Sequence, residues 1–149
     1  MRFILAALIL TITSVLTMTA KANPLAEYRW SYRPVLVFAQ SQQDQNFTDQ
    51  MRAIRQQIGS AYERDIMHIS VAGETVDLDA ADLSDTAPQL SFDATDLRRK
   101  YGVNDDQFLV VLVGKDGGEK GRWDEPVNMG EIFSLIDTMP MRQREMGNY

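Results

Sequence analysis

The sequence predicts one α/β domain built on a mixed four-stranded sheet of order 2-1-3-4, with helices on its faces. Three observations predict it. Val35 to Ala39 and Phe108 to Val113 are unbroken apolar runs of strand length, the pattern of strands buried on both faces. Strand, helix and strand succeed one another within about 40 residues after Arg33, which is the spacing of a βαβ unit. Asp116-Gly117-Gly118, directly after the second apolar run, is a hairpin signal.

The chain has 149 residues, the length of a single domain. Residues 1–22 stand apart from it. Met1-Arg2 gives a short positive start, Phe3 to Val15 is almost wholly apolar, and Ala20-Lys21-Ala22 supplies the small-x-small pattern read by signal peptidase. The apolar run falls short of the roughly 20 residues that a membrane span needs. The expectation is a cleaved Sec-type signal peptide, a periplasmic or secreted product, and no stable membrane anchor after cleavage. The remaining part, 23–149, would carry 13 basic and 21 acidic residues, a charge of −8. That balance argues against nucleic acid as a partner, since such binding needs basic surface to displace counterions. The chain has no cysteine. A disulfide, a thiolate nucleophile, a lipoprotein anchor and a cysteine-based metal centre are thereby excluded.

The elements follow in order. Arg33-Pro34 opens the first strand, and Gln40 to Asp44 ends it in a polar turn. Asp44 is placed to cap a helix in which Phe47, Met51, Ile54 and Ile58 form an apolar stripe. Asp49, Gln50, Arg52, Arg55 and Gln56 are assigned to its wet face, and Gly59 to the left-handed position past its end. Ile66 to Val71 is a second strand, with His68 and Ser70 on a more polar face. Residues 72–92 read as a long acidic surface loop. Asp93 and Asp96 start a short helix with Leu97 and Tyr101 inward, closed by Gly102. Phe108 to Val113 is a central strand, and Glu119 to Trp123 returns beside it. Asn128 and Glu131 begin a last helix with Ile132, Leu135, Ile136 and Met139 inward, broken at Pro140. Met141 to Tyr149 reads as a polar tail.

A parallel pair followed by a hairpin and a final helix resembles the plan of the thioredoxin fold. The Tyr101-Gly102-Val103 segment before the hairpin resembles the one in thioredoxins and peroxiredoxins. Four phrases carry a closer likeness: Arg33 to Ala39, Arg64-Asp65, Leu112 to Gly118, and Ile136 to Arg142. Together they resemble a family of uncharacterised exported bacterial proteins with a peroxiredoxin-like domain that is shared with animal sushi-repeat-containing extracellular proteins. The resemblance implies a thioredoxin-like fold and carries no established activity. Thioredoxins and peroxiredoxins place a reactive cysteine just after the first core strand, where a helix N-terminus lowers its pKa. Gln40-Ser41-Gln42-Gln43-Asp44 stands there instead, and Asn104 to Gln107 replaces the thioredoxin proline before the third strand.

On this topology one edge collects the end of the first strand, the start of the third and the end of the fourth. Ligands in open α/β sheets favour such strand ends. Ser41, Asp44, Trp123 and Asp124 are therefore expected at a binding edge. Lys115, Lys120 and Arg122 flank the hairpin at the opposite end as possible anion contacts, although Gly114-Lys115 lacks the P-loop spacing. His68 is the sole histidine, and no G-x-S-x-G elbow presents a serine to it. The aspartates at 77, 79, 82 and 85 miss the EF-hand pattern. Met139, Met141 and Met146 form a soft set that suits Cu(I), and also ordinary core filler. Asn46-Phe47-Thr48 is a sequon at a helix start. No catalytic residue, metal ligand or cofactor is assigned. The expected function is a non-catalytic binding or interaction module for a protein or small ligand. The alternative is a cysteine-independent enzyme that uses carboxylates and His68 at the strand-end edge.

Overall fold

Arg33–Ala39 forms strand β1, and every one of its residues is buried. The apolar run needs cover on both faces, and the sheet supplies it. The structure is a computed structural model that describes residues 23–80 and 92–147. After a 3-10 turn at Ala26–Tyr28 and β1 come α1 (Gln45–Gln56), α2 (Ile58–Tyr62), β2 (Ile66–Ala72) and β3 (Thr75–Asp79). Then follow α3 (Ala94–Tyr101), β4 (Leu109–Val113), β5 (Glu119–Trp123), α4 (Met129–Asp137) and α5 (Pro140–Met146).

The five strands lie in the order β3-β2-β1-β4-β5. β1 pairs in parallel with β2, Val35 opposite His68, and antiparallel with β4, Phe38 opposite Leu109. β4 and β5 form the expected hairpin, with Gly117 in the left-handed region at φ 83° and the Asp116 carboxylate accepting from the Gly118 N–H at 2.9 Å. One face buries Leu36, Phe38, Met67, Ile69, Leu109 and Val111 beneath α3 and the 23–32 segment. The other buries Val35, Val37, Ile66, Val110 and Leu112 beneath α1, α2 and α4.

Four expectations are corrected. The sheet has five strands, because the start of the supposed 72–92 loop is β3. Gly73, at φ 61°, reverses the chain so that Ala72 pairs with Thr75, and Val76 and Leu78 pack on the core. Residues 81–91, with Asp82 and Asp85, lie outside the described residues, as do residues 1–22. Gln50 is fully buried rather than wet. It falls at i+3 from Phe47 and i−4 from Ile54, hence on the inner stripe. There its Oε1 accepts from the Val127 N–H at 2.7 Å and pins the entry to α4. Gly59 does not end α1: the helix stops at Gln56, and Gly59 lies within α2. The 140–146 stretch is a helix, α5, with Pro140 at its first turn, where the missing N–H is no loss.

The caps are largely as read. Asp44 accepts from Phe47 N, Asp93 from Asp96 N, and Asn128 from Gly130 N. Glu131 does not close a box on Asn128; its carboxylate takes the Trp123 indole N–H at 2.8 Å. Gly102 ends α3 at φ 64°, as expected of a left-handed cap.

Candidate functional site

The strand-end edge gathers its segments as the topology requires, and most of its side chains already have structural partners. Asp44 is the α1 cap, with its carboxylate on Phe47 N at 3.1 Å. Trp123 is half-buried against α4 and bonded to Glu131, and Asp124 is exposed. Ser41 accepts Asp44 N through its backbone carbonyl. A hollow of about 320 Å³ opens on the α3 side, lined by Gln40, Gly73, Glu74, Thr95, Arg98 and Asp105 among others. None of Ser41, Asp44, Trp123 or Asp124 lines it. Its deepest member is Arg98, which the sequence reading did not single out. Arg98 is 5% exposed, and donates to Ala39 O at 2.6 Å and Asn104 O at 2.9 Å. It thus ties the end of β1 to the loop before β4. Its position three residues before Tyr101 put it on the inner face of α3.

The hairpin end is built differently. Arg33 opens β1 and is 1% exposed. Its guanidinium donates to Arg64 O at 2.8 Å and to both Glu145 oxygens at 3.0 and 3.2 Å. Lys115, just past β4, donates to Asp65 at 2.7 Å and Glu145 at 2.8 Å. Arg64 grips Asp137 with two bonds at 3.0 and 2.8 Å and lies over the Phe133 ring. Arg142 joins Asp137 and Glu145 at 3.3 and 3.5 Å. Asp65 reaches this network from the left-handed region, at φ 52°, a conformation that aspartate adopts more readily than most residues with a side chain. Burial alone would raise the Glu145 carboxyl, but hydrogen bonds from Lys115 and Arg33 outweigh it and hold the group at about 2. Asp137 is lowered chiefly by its bond from Arg64.

In front of this network lies a pocket of about 400 Å³. Its walls include Arg33, Lys115, Lys120 and Arg144, with Asp116 as the one carboxylate and Thr138, Met139, Pro140 and Met141 on the α4–α5 side. Lys120 is paired with Asp116 at 2.7 Å. Arg122, the third hairpin cation, points elsewhere, bonding Glu119 and the carbonyl of Tyr101. Met139 and Met141 share the pocket wall, whereas Met146 does not line it. Three of the four phrases that carry the resemblance supply pocket residues, Arg33, Gly114 to Asp116 and Thr138 to Met141; the fourth, Arg64-Asp65, lies in the ion-pair network behind them.

Residues 24–145 match the family described as Domain of unknown function (DUF4174). The chain belongs to this family. A stretch of 138 residues is 28% identical to coiled-coil domain-containing protein 80 of Danio rerio, covering 83% of this chain and 16% of that protein. The DUF4174 chain thus spans about one-sixth of that relative's length. Among solved structures, thioredoxin peroxidase I of Plasmodium yoelii superposes with a TM-score of 0.56 over 80% of this chain and 79% of that one, at 16% identity. At that identity the likeness is one of fold alone. The DUF4174 domain is thioredoxin-like, as its element order implied, and it carries no cysteine at any position.

His68 sits apart from both ends. It is 3% exposed on the α1–α2 side of β2, and neither ring nitrogen has a hydrogen-bond partner. Burial lowers its pKa to about 4, with only a partial offset from Asp79 across the β2–β3 pair. Its register partner Val35 is four residues from the end of β1, about 13 Å at strand rise. The fold therefore does not bring His68 to Asp44 for joint catalysis. Among the described residues no three His, Asp or Glu side chains group as a metal site, and no helix is long and apolar enough to cross a membrane.

Proposed function

We propose that this is an exported, cysteine-free thioredoxin-like domain that acts as a non-catalytic binding module, and that it binds at the hairpin end of the sheet. One observation carries the reading: residues distant in sequence, drawn from the start of β1, the β4–β5 hairpin and the α4–α5 junction, meet around one open pocket. A concave site of about 400 Å³ is within the range of small-molecule pockets. The strand-end edge, where redox relatives hold their thiol, has Asp44 spent on a cap. Export rests on the charge and apolar pattern of residues 1–22.

The alternative of an acid–base enzyme has less support. His68 is buried without a route to Asp44, and ion pairs hold the Glu145 and Asp137 carboxyls below their ordinary values, so neither is poised near neutrality.

The test is backbone-amide NMR of the purified protein with a fragment library holding neutral, cationic and anionic members. Shift changes should cluster at Gly114 to Lys120 and Thr138 to Arg144. Changes confined to Ser41 to Asp44, or none anywhere, would reject the reading.

A further inference from the structure

We infer that the hairpin-end pocket takes a small amphipathic anion, with a carboxylate or phosphate head against Lys120 and Arg144 and an apolar body against Met139 and Met141. This deepens the binding reading above and rests on it.

Charge at the pocket differs from that of the chain as a whole. Four cationic side chains line the pocket; Glu145 and Asp65 offset Arg33 and Lys115 from behind it and Asp116 offsets Lys120, which leaves a cationic excess at Arg144 in a chain whose net charge is −6. The positive wall is therefore a local construction, not a sample of the average surface. Arg33 and Lys115 are committed to Glu145 and Asp65 and form a rigid floor. Lys120 is held only by Asp116, both partly exposed, and such surface pairs contribute little, so an incoming anion can replace Asp116. The Arg144 side chain makes no hydrogen bond or ion pair among the described residues and is exposed on α5. These two cations have charge to spare. A Cβ on Gly114 would sit 2.5 Å from the Lys120 stem and 2.8 Å from the Asp116 carboxylate. Glycine there lets Lys120 lie close over the backbone, at the pocket wall. On the opposite wall, Met139, Pro140 and Met141 offer apolar surface. Thioethers adapt to varied apolar shapes.

A polyanion such as nucleic acid is disfavoured by the acidic whole and by a pocket sized for one head group. A hard metal cation is disfavoured by a wall with one carboxylate, and a soft one by the cations facing the two thioethers.

Calorimetric titration of the purified protein with octanoate, octyl phosphate, inorganic phosphate and octyltrimethylammonium tests this. Octanoate or octyl phosphate should bind at least about tenfold tighter than inorganic phosphate and than the octyl cation. The tighter of the two octyl anions identifies the head group. The double variant Lys120→Glu, Arg144→Glu should weaken that binding at least about tenfold with an unchanged unfolding midpoint, because neither side chain belongs to the buried network. Equal binding of the octyl cation, or undiminished binding by the double variant, would overturn the inference. If neutral or cationic fragments shift pocket amides while both octyl anions bind nowhere, the ligand class is wrong and the binding reading stands. If nothing binds, both fall.

Discussion

His68 offers the sharpest energetic test, because it is a buried base with both nitrogens unsatisfied. Its folded pKa of about 4 lies below the ordinary 6.5. The unfolded chain therefore takes up a proton at a pH where the folded chain cannot. Above pH 6.5 both states hold neutral imidazole and His68 adds no pH dependence. As pH falls from 6.5 toward 4, the folded state loses ground at about 1.4 kcal/mol per unit. Between pH 7.5 and 4.5 the loss should amount to about 2.5 kcal/mol. Below pH 4 both states are protonated and the penalty stays constant. His68→Leu removes the titrating group and the unmet polar atoms. At pH 7.5 it should leave stability unchanged or raise it by up to about 2 kcal/mol, the relief of an unpaired buried group less some repacking. The assay is urea unfolding of both proteins at pH 7.5 and 4.5. Surface carboxylates contribute equally to each, so the difference between the two pH losses isolates His68. Equal losses in wild type and variant would show that the ring is solvated or paired in solution, and the burial argument would fail.

Two further substitutions probe the framework. Glu145→Gln leaves Arg33 and Lys115 facing an uncharged amide and should destabilise by about 1–3 kcal/mol at pH 7. Because the Glu145 carboxyl is held at about 2, its contribution is complete above pH 4.5 and fades as pH falls toward 2. The variant should lack that acid step, and a change below about 0.5 kcal/mol at pH 7 would mark the network as marginal to stability. Gln50→Leu keeps the volume near constant and strands the buried Val127 N–H. Urea unfolding should show a loss of about 1–3 kcal/mol, and a neutral result would mean that water or relaxation satisfies that N–H.

Hydrophobic runs and turn residues made the sheet legible. Val35–Ala39 and Phe108–Val113 are neighbours running in opposite senses, and Asp116-Gly117-Gly118 closes the hairpin. β3 was hidden by composition: Asp77 and Asp79 gave the segment an acidic, loop-like look, although Val76 and Leu78 alternate with them and Gly73 precedes them. On an edge strand one face is wet, so charge and strand periodicity coexist. Gln50 and Arg98 were hidden for the opposite reason, since polar residues on an inner face are legible only through spacing. The pocket was the least legible part. Lys115 and Lys120 were recognised as cations beside a turn, but their meeting with Arg33, Met139 and Arg144 depends on the α4–α5 junction folding back to the start of β1. Long-range ion pairs such as Arg33–Glu145 have no local signature. Three of the four family-like phrases did mark its components and the fourth the network behind it, without indicating that they touch.

Which end of the sheet receives a ligand decides between a binding module at the hairpin end and one at the strand-end edge. A chain without cysteine can carry one fluorophore on a single introduced thiol, at Thr138→Cys on the pocket wall or at Ser41→Cys on the opposite edge. Titration of each labelled protein with octanoate and with octyl phosphate should change the emission of the Thr138 reporter saturably for at least one of the two and leave the Ser41 reporter flat for both. A saturable response at Ser41, with silence at Thr138, would contradict binding at the hairpin end.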